Sequence, residues 1–256
     1  MESRQFPESP AGMDEIEWQL RLELAACYRL FDWMGWTTLI FNHISVRVPA
    51  AKPEFLINPF GLNYSEVTAR NLVKIDIEGR KLDASPHAVN AAGFVIHSAL
   101  HAARADAHCI AHTHTTAGMA VACKASGLRD DNFNSALLFG KIAYHDFEGV
   151  TTDAAEKPRL VASMGDKPIL ILRNHGLLVA ASSVPETFSL MATLQKACEV
   201  QLASDSLAGP NIPISREVLH AIPAQNAVVV KSASRPGQLV FDACLRRAGI
   251  HYANLA

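Results

Sequence analysis

Apolar residues at Ile16, Leu20, Leu24, Cys27, Phe31 and Met34 recur at steps of three and four, one stripe of a helix, and Gly35 stands where a C-cap would end it. The period then changes to two. Ile44, Val46 and Val48 alternate with Ser45 and Arg47, and 55–57 and 73–77 repeat the alternation with a turn at Glu78-Gly79, so strands are expected. Residues 94–104 are rich in Ala and His at helical spacing, 108–114 read as a short apolar strand, and 115–125 suit a helix of small residues. The apolar runs 167–172 and 177–181, separated by Arg173-Asn174-His175-Gly176, predict a hairpin or a bent strand. Ser183 and Glu186 have capping-box spacing with Pro185 in the first turn, and Phe188, Met191, Leu194, Cys198 and Leu202 form the stripe of the helix that follows. After Ser206 the chain turns to Gly, Pro and polar residues through Pro223, with a short helix over 239–248 ending at Gly249. This pattern divides the chain into a flexible arm at 1–12, a domain over 13–206, and an extension over 207–256 that packs on the same domain or a neighbouring subunit. Interleaved strands and helices make the class α/β.

Composition narrows the partners. The 256 residues are 49% apolar and 19% charged, enough to bury a sizeable core, and 23 Lys and Arg against 25 Asp and Glu leave a formal charge of −2. No basic field is present to hold nucleic acid or an anionic membrane, so neither is expected as a partner. No apolar run reaches the roughly 18 residues of a membrane helix, and the acidic start lacks a signal-peptide stretch, so a cytoplasmic location is expected. The five cysteines (Cys27, Cys109, Cys123, Cys198, Cys244) are widely spaced without C-x-x-C and read as mostly buried thiols. Neither G-x-G-x-x-G nor a P-loop pattern occurs, which removes the usual support for a nucleotide site.

The histidines carry more information. His112-Thr113-His114 ends an apolar strand, and strand alternation points both rings to one face with Cα atoms about 7 Å apart, close enough to share a metal. His175, between two apolar runs and followed by Gly176, is the candidate third ligand; Gly176 would let the backbone turn tightly. A lone H-x-H is also a common surface or hydrogen-bonded pair. His97 and His101, at i and i+4, could ligate but more often such a pair packs and hydrogen-bonds on a helix face, and His87, His108, His220 and His251 read as structural.

The ordered blocks GWTTLIFNHISVRVP, FLINPFGLNYSEVTARNLVKIDIEG, HSALHAARADAHCIAHTHTTAGMAVA and ILRNHGLLVAASSVPETFSLMATLQKACEVQLA resemble the class II aldolase/adducin family over residues 16–202. The resemblance implies a three-layer α/β/α fold around a central β-sheet, a homotetramer with sites between subunits, and a divalent metal, Zn2+ before Mn2+ or another ion, on His112, His114 and His175. The family's aldolases place a catalytic glutamate in an S-S-E segment; here it reads Ala91-Ala92-Gly93. Their T-S-G-N phosphate loop is Ile40-Phe41-Asn42-His43, and P-S-G is Pro59-Phe60-Gly61. A phosphate dianion beside Phe41 and Phe60 would be desolvated without a partner, so a phosphorylated sugar is not the expected substrate.

The expected activity is that of a metal-dependent carbon–carbon lyase, aldolase or decarboxylase, on a small unphosphorylated hydroxy- or oxo-acid. Candidates to replace the missing carboxylate are His43, Tyr144 and His145, and candidate substrate contacts are Asn42, Arg47 and Arg173. The pattern, FNHIS above all, lies nearest the adducin-like branch, which leaves a second expectation: a non-catalytic oligomeric module resembling an adducin head.

Overall fold

The computed structural model describes residues 6–50, 52–150, 153–230 and 235–256, without the side chains at 91, 92, 154 and 228–230. Its strands are β1 (His43–Val48), β2 (Glu54–Ile57), β3 (Val73–Asp76), β4 (Cys109–Thr113), β5 (Ile142–His145), β6 (Ile169–Leu172) and β7 (Gly176–Ala181). They form one sheet in the order β3-β2-β1-β4-β7-β6-β5, antiparallel at every step but β5–β6. The helices are α1 (Glu15–Trp33), α2 (Ala91–Ala103), α3 (Thr116–Ala122), α4 (Phe133–Leu137), α5 (Lys157–Met164), α6 (Val184–Asp205), α7 (Arg216–Val230) and α8 (Gln238–Ala248).

Strand alternation sorts the core into two halves. Ile44, Val46, Cys109, Ala111, Ile171, Leu177 and Val179 face one way, against Leu24, Phe31, Phe188, Met191 and Phe241 of α1, α6 and α8. Ile110, Leu170, Leu172, Leu178 and Ala180 face the other way, beneath Ile96 and Leu100 of α2 and Leu160 and Met164 of α5. The result is the expected three-layer α/β/α arrangement. His43, Ser45 and His112 alternate with Ile44 and Ala111, so they fall on the α2 face, and the register pairs His43 directly with His112.

The first helix departs from a single stripe. Leu24, Cys27 and Phe31 are buried as the spacing predicts, but so are Leu22, Ala25 and Tyr28, while Ile16 and Met34 are 56% and 37% exposed. Contacts of α1 with β1, α6 and α8 explain this: its middle is wrapped on several sides. Ser183 accepts from the Glu186 amide at 3.4 Å, whereas the Glu186 carboxylate reaches back to the amide of Ser182, one residue before the cap. Four elements are not apparent in the sequence pattern. A short helix forms at α4, the run containing Tyr144 and His145 forms β5 at the sheet edge, α5 follows it, and α7 continues through Pro223 despite the missing amide hydrogen.

Of the expected arm, residues 1–5 lie outside the described residues; Phe6 packs on Tyr252, and Trp18 Nε1 donates to the Pro7 carbonyl at 2.9 Å. Residues of α8 pack into the α1–α6 core. The five cysteines are free thiols, with Cys123 exposed. Among the described residues no helix is long and apolar enough to cross a membrane.

A buried hydroxyl ties α1 to the start of β1. Tyr28 Oη accepts from the Ile44 amide (2.8 Å) and the Asn58 amide (3.2 Å), and its own hydrogen is shared between the Ile44 carbonyl and Asn58 Oδ1. Tyr28→Phe strips the acceptor from both amides while keeping the ring. We expect a loss of about 1–3 kcal/mol of unfolding free energy in urea titration.

Candidate metal centre

His112 is the penultimate residue of β4, His114 lies one step beyond the strand, and His175 sits in the β6–β7 turn. Antiparallel pairing of Thr113 with Leu177 brings that turn beside the strand end. The three ring centroids are 4.5–4.8 Å apart, and one nitrogen from each ring lies within 4.8 Å of the others. The turn is made by Asn174, which adopts the left-handed region at φ 56°. Gly176 serves close approach rather than the tight bend its sequence position suggests. A Cβ there would stand 2.3 Å from the Thr113 carbonyl oxygen and 3.0 Å from His114 Cδ2, so any side chain would push the turn off the cluster.

The donor set suits a divalent cation. His112 Nδ1 donates to the Leu177 carbonyl at 2.9 Å, which fixes that ring and leaves Nε2 as its lone-pair nitrogen, 2.7 Å from His114 Nε2. Burial, followed by the neighbouring rings, holds His112 well below the usual histidine range; burial lowers His114, and burial with His114 brings His175 down to about 4. At neutral pH these are three uncharged nitrogen donors, the ligand type that zinc and manganese accept.

A second set of polar groups lies behind the cluster on the same sheet face. The His43 ring is 5.1 Å from that of His112, and its Nδ1 is 2.8 Å from His97 Nε2. His97 Nδ1 meets Ser45 Oγ at 2.6 Å, Ser45 Oγ meets His101 Nε2 at 2.8 Å, and His101 Nδ1 meets the Ala107 carbonyl at 2.8 Å. All four side chains are buried, and His101 stacks on Phe55. Burial first, then nearby rings, keeps His43 and His97 well below the usual range, and burial brings His101 to about 3. Sequence spacing alone favours helix packing for His97 and His101 and does not single out Ser45. The signal was available in two same-face pairs, 43/45 on a strand and 97/101 on a helix, which only their apposition made meaningful.

Gly93, where the family's aldolases carry glutamate, faces His43. A Cβ at 93 would lie 2.4 Å from His43 Cδ2 and 2.6 Å from Nε2. The imidazole of β1 thus fills the room that a side chain from α2 would need.

The other candidates are engaged in different ways. Asn42 Oδ1 accepts from the Thr38 amide at 2.7 Å, and its buried Nδ2 has no hydrogen-bond partner among the described residues. Arg47 Nη2 donates to the His101 and Arg104 carbonyls at the end of α2. Arg173 lies over the Tyr144 ring, pairs with Asp146 at 3.4 Å and donates toward the Lys124 and Ala125 carbonyls. Tyr144 Oη accepts from the Leu128 amide at 3.0 Å, and His145 bonds Ser163 (2.9 Å) and Glu156 (3.3 Å) beside α5. These contacts leave His43 as the acid/base candidate adjoining the triad. A concavity of about 600 Å³ opens elsewhere, along α6 and the segment leading into α7, but its Arg129 is already paired with Asp131 and Asp205.

The sequence profile of the class II aldolase and adducin N-terminal domain matches residues 22–202. A Pseudomonas aeruginosa protein, provisionally named an aldolase class 2 protein, is 46% identical over 238 residues, 93% of this chain and 92% of that one. Alpha-adducin of Rattus norvegicus is 47% identical over 199 residues, 77% of this chain and 27% of the adducin. An L-fuculose 1-phosphate aldolase from Glaciozyma antarctica shares the fold with a TM-score of 0.77 at 28% identity, covering 96% of each chain.

Two outcomes follow from the packing and the neutral rings. Gly93→Ala on an open helix would gain about 1 kcal/mol, but against His43 the overpacking costs about 1–3 kcal/mol. We therefore expect a lower urea midpoint for Gly93→Ala alone and a neutral or higher one when His43→Ala is the background. In chelator-treated protein, stability should fall as pH is lowered from 7 to 4. The unfolded chain takes up protons below about 6.5, whereas burial holds the affinities of His43, His97 and His101 lower, so each contributes a slope of up to about 1.4 kcal/mol per pH unit between its unfolded and folded pKa.

Proposed function

Because the chain belongs to the class II aldolase and adducin family, we propose that it is a metal-dependent carbon–carbon lyase, of aldolase or decarboxylase type, for a small unphosphorylated hydroxy- or oxo-acid. The convergence of three neutral imidazoles from His112, His114 and His175 carries this reading. Bound there, a divalent cation, zinc in the first instance and manganese as the next choice, supplies an electron sink for the negative charge left as a carbon–carbon bond breaks. The protein's part is orientation. The Leu177 carbonyl holds His112, the Gly176 backbone leaves space for the three rings, and Thr38 Oγ1, donating to the His114 carbonyl at 3.1 Å, ties the preceding loop to the cluster.

The surroundings favour a substrate without phosphate. Phe41 is half exposed on that loop, and Phe147 is exposed with its ring 6.3 Å from His175. Such neighbours suit an apolar or aromatic part of a small acid and offer a dianion nothing in return for its lost hydration. Gly93 supplies no carboxylate, which favours bond cleavage that generates the carbanion directly, by loss of carbon dioxide or of an aldehyde. We further propose a cytoplasmic homotetramer, in keeping with the family's usual assembly.

A second reading has its own support. Identity to alpha-adducin reaches 47%, against 28% for the fuculose phosphate aldolase, and the position of the aldolase carboxylate is empty of side chain. On this reading the domain is an oligomeric module with an inherited metal site.

Protein purified without added zinc is expected to carry one divalent ion per chain by elemental analysis, and His112→Ala to bind it at least about tenfold more weakly. Equal metal content in the variant would refute the three-histidine site. Release of carbon dioxide or aldehyde from a panel of oxo-acids, hydroxy-acids and hydroxylated aromatic acids supports the lyase. Turnover of none, with metal retained, supports the module.

A further inference from the structure

The hydrogen-bonded row behind the cluster has a direction. A carbonyl oxygen cannot donate, so the hydrogen between His101 and Ala107 must sit on His101 Nδ1. A neutral His101 then offers Nε2 as an acceptor, and Ser45 Oγ must donate to it. With its one hydrogen committed, Ser45 accepts from His97 Nδ1–H; His97 Nε2 is left bare and accepts from His43 Nδ1–H. The last lone pair in the row is that of His43 Nε2. This nitrogen has no hydrogen-bond partner among the described residues, although the side chain is 3% exposed, and it lies 2.6 Å from where a Cβ of residue 93 would stand. All the side chains of the row are buried, an environment that disfavours a charged imidazole.

We propose that the Ala107 carbonyl, through His101, Ser45 and His97, locks His43 in the Nδ1–H tautomer, so that its bare Nε2 accepts a hydrogen bond from a substrate hydroxyl beside the Gly93 backbone. His43 is then the group that touches substrate, and Ser45, His97 and His101 are positioning residues. Among the two substrate classes above, the hydroxy-acid is selected, since an acceptor without a hydrogen gives nothing to a carbonyl oxygen. The exchange also accounts for the pairing of His43 with Gly93: the acceptor is delivered from β1, and α2 must leave room for it. The inference rests on the lyase reading for the existence of a substrate, but the tautomer itself does not.

The test is 15N spectroscopy of the full chain labelled at histidine, zinc-free and zinc-loaded. The expected result is an unprotonated, pyridine-type Nε2 and a protonated Nδ1 for His43 in both forms. Ser45→Ala removes the acceptor for His97 Nδ1–H, frees His97 to carry its hydrogen on Nε2, and should move the His43 hydrogen to its own Nε2; Ser45→Thr should keep the parent pattern. A protonated His43 Nε2 in the neutral parent protein overturns the proposal whether or not Ser45→Ala folds, and so does a Ser45→Ala spectrum with His43 unchanged. For the acceptor role, lactate and 3-hydroxybutyrate should displace the His43 Nε2 signal more than propionate and butyrate, and equal or absent displacement refutes it. Zinc-free protein that never binds metal and turns nothing over would defeat the lyase reading and leave the tautomer result standing. An active zinc enzyme with His43 protonated at Nε2 would defeat this proposal alone.

Discussion

An imidazole buried against other imidazoles has to remain uncharged, and in this protein four such rings crowd the space between one face of the sheet and α2. His43, His97, His101 and His112 are enclosed there, where a cation without a counter-charge would be heavily desolvated. Neutrality converts each ring into one donor and one acceptor. Every hydrogen bond in the region is then a choice of tautomer, and the choices are settled by two backbone carbonyls, Leu177 for His112 and Ala107 for the row ending at His43. The sheet thereby sets the chemistry of its side chains through groups that have no side chain of their own.

The exchange between positions 43 and 93 shows how closely packing and chemistry are coupled. A carboxylate on α2 and an imidazole on β1 cannot both occupy the space beside His112, because a single Cβ at 93 already collides with the His43 ring. Adducin-like sequence features at FNHIS and at Ala91-Ala92-Gly93 are therefore two sides of one substitution rather than independent losses. Loss of a glutamate reads as loss of function only if nothing takes its place. Here a different polar atom is held in that place by a row of buried hydrogen bonds, an arrangement more expensive to maintain than an apolar filling would be.

The relatives carry two kinds of name. One carries an aldolase name at 46% identity across nearly the whole chain, and another is a long adducin of which this chain covers about a quarter. What the fold offers in either case is a rigid seat: Gly176 and Asn174 shape the β6–β7 turn around the three rings, and Tyr28 anchors the first residues of β1 from behind.

Much was legible along the chain itself. Period-two and helical spacing located β1, β4, β6, β7 and the long helices, since apolar periodicity directly reflects which side of an element is buried, and H-x-H on a strand already put two rings on one face. Its place between two apolar runs made His175 the candidate third ligand, and the family resemblance supported that assignment and added the layered fold around the rings. Some elements escaped: α4, β5 and α5 are short, and α7 runs through a proline, so no period announced them. What only the tertiary structure decided was apposition across elements. His43 and Ser45 are separated from His97 and His101 by about fifty residues of sequence, yet the sheet register and the seating of α2 bring them to hydrogen-bond distance. Spacing within one element cannot encode a contact between two, because that contact depends on how layers stack. The direction of the hydrogen bonds depends in turn on the Ala107 carbonyl, a backbone group that every residue carries and no sequence motif distinguishes.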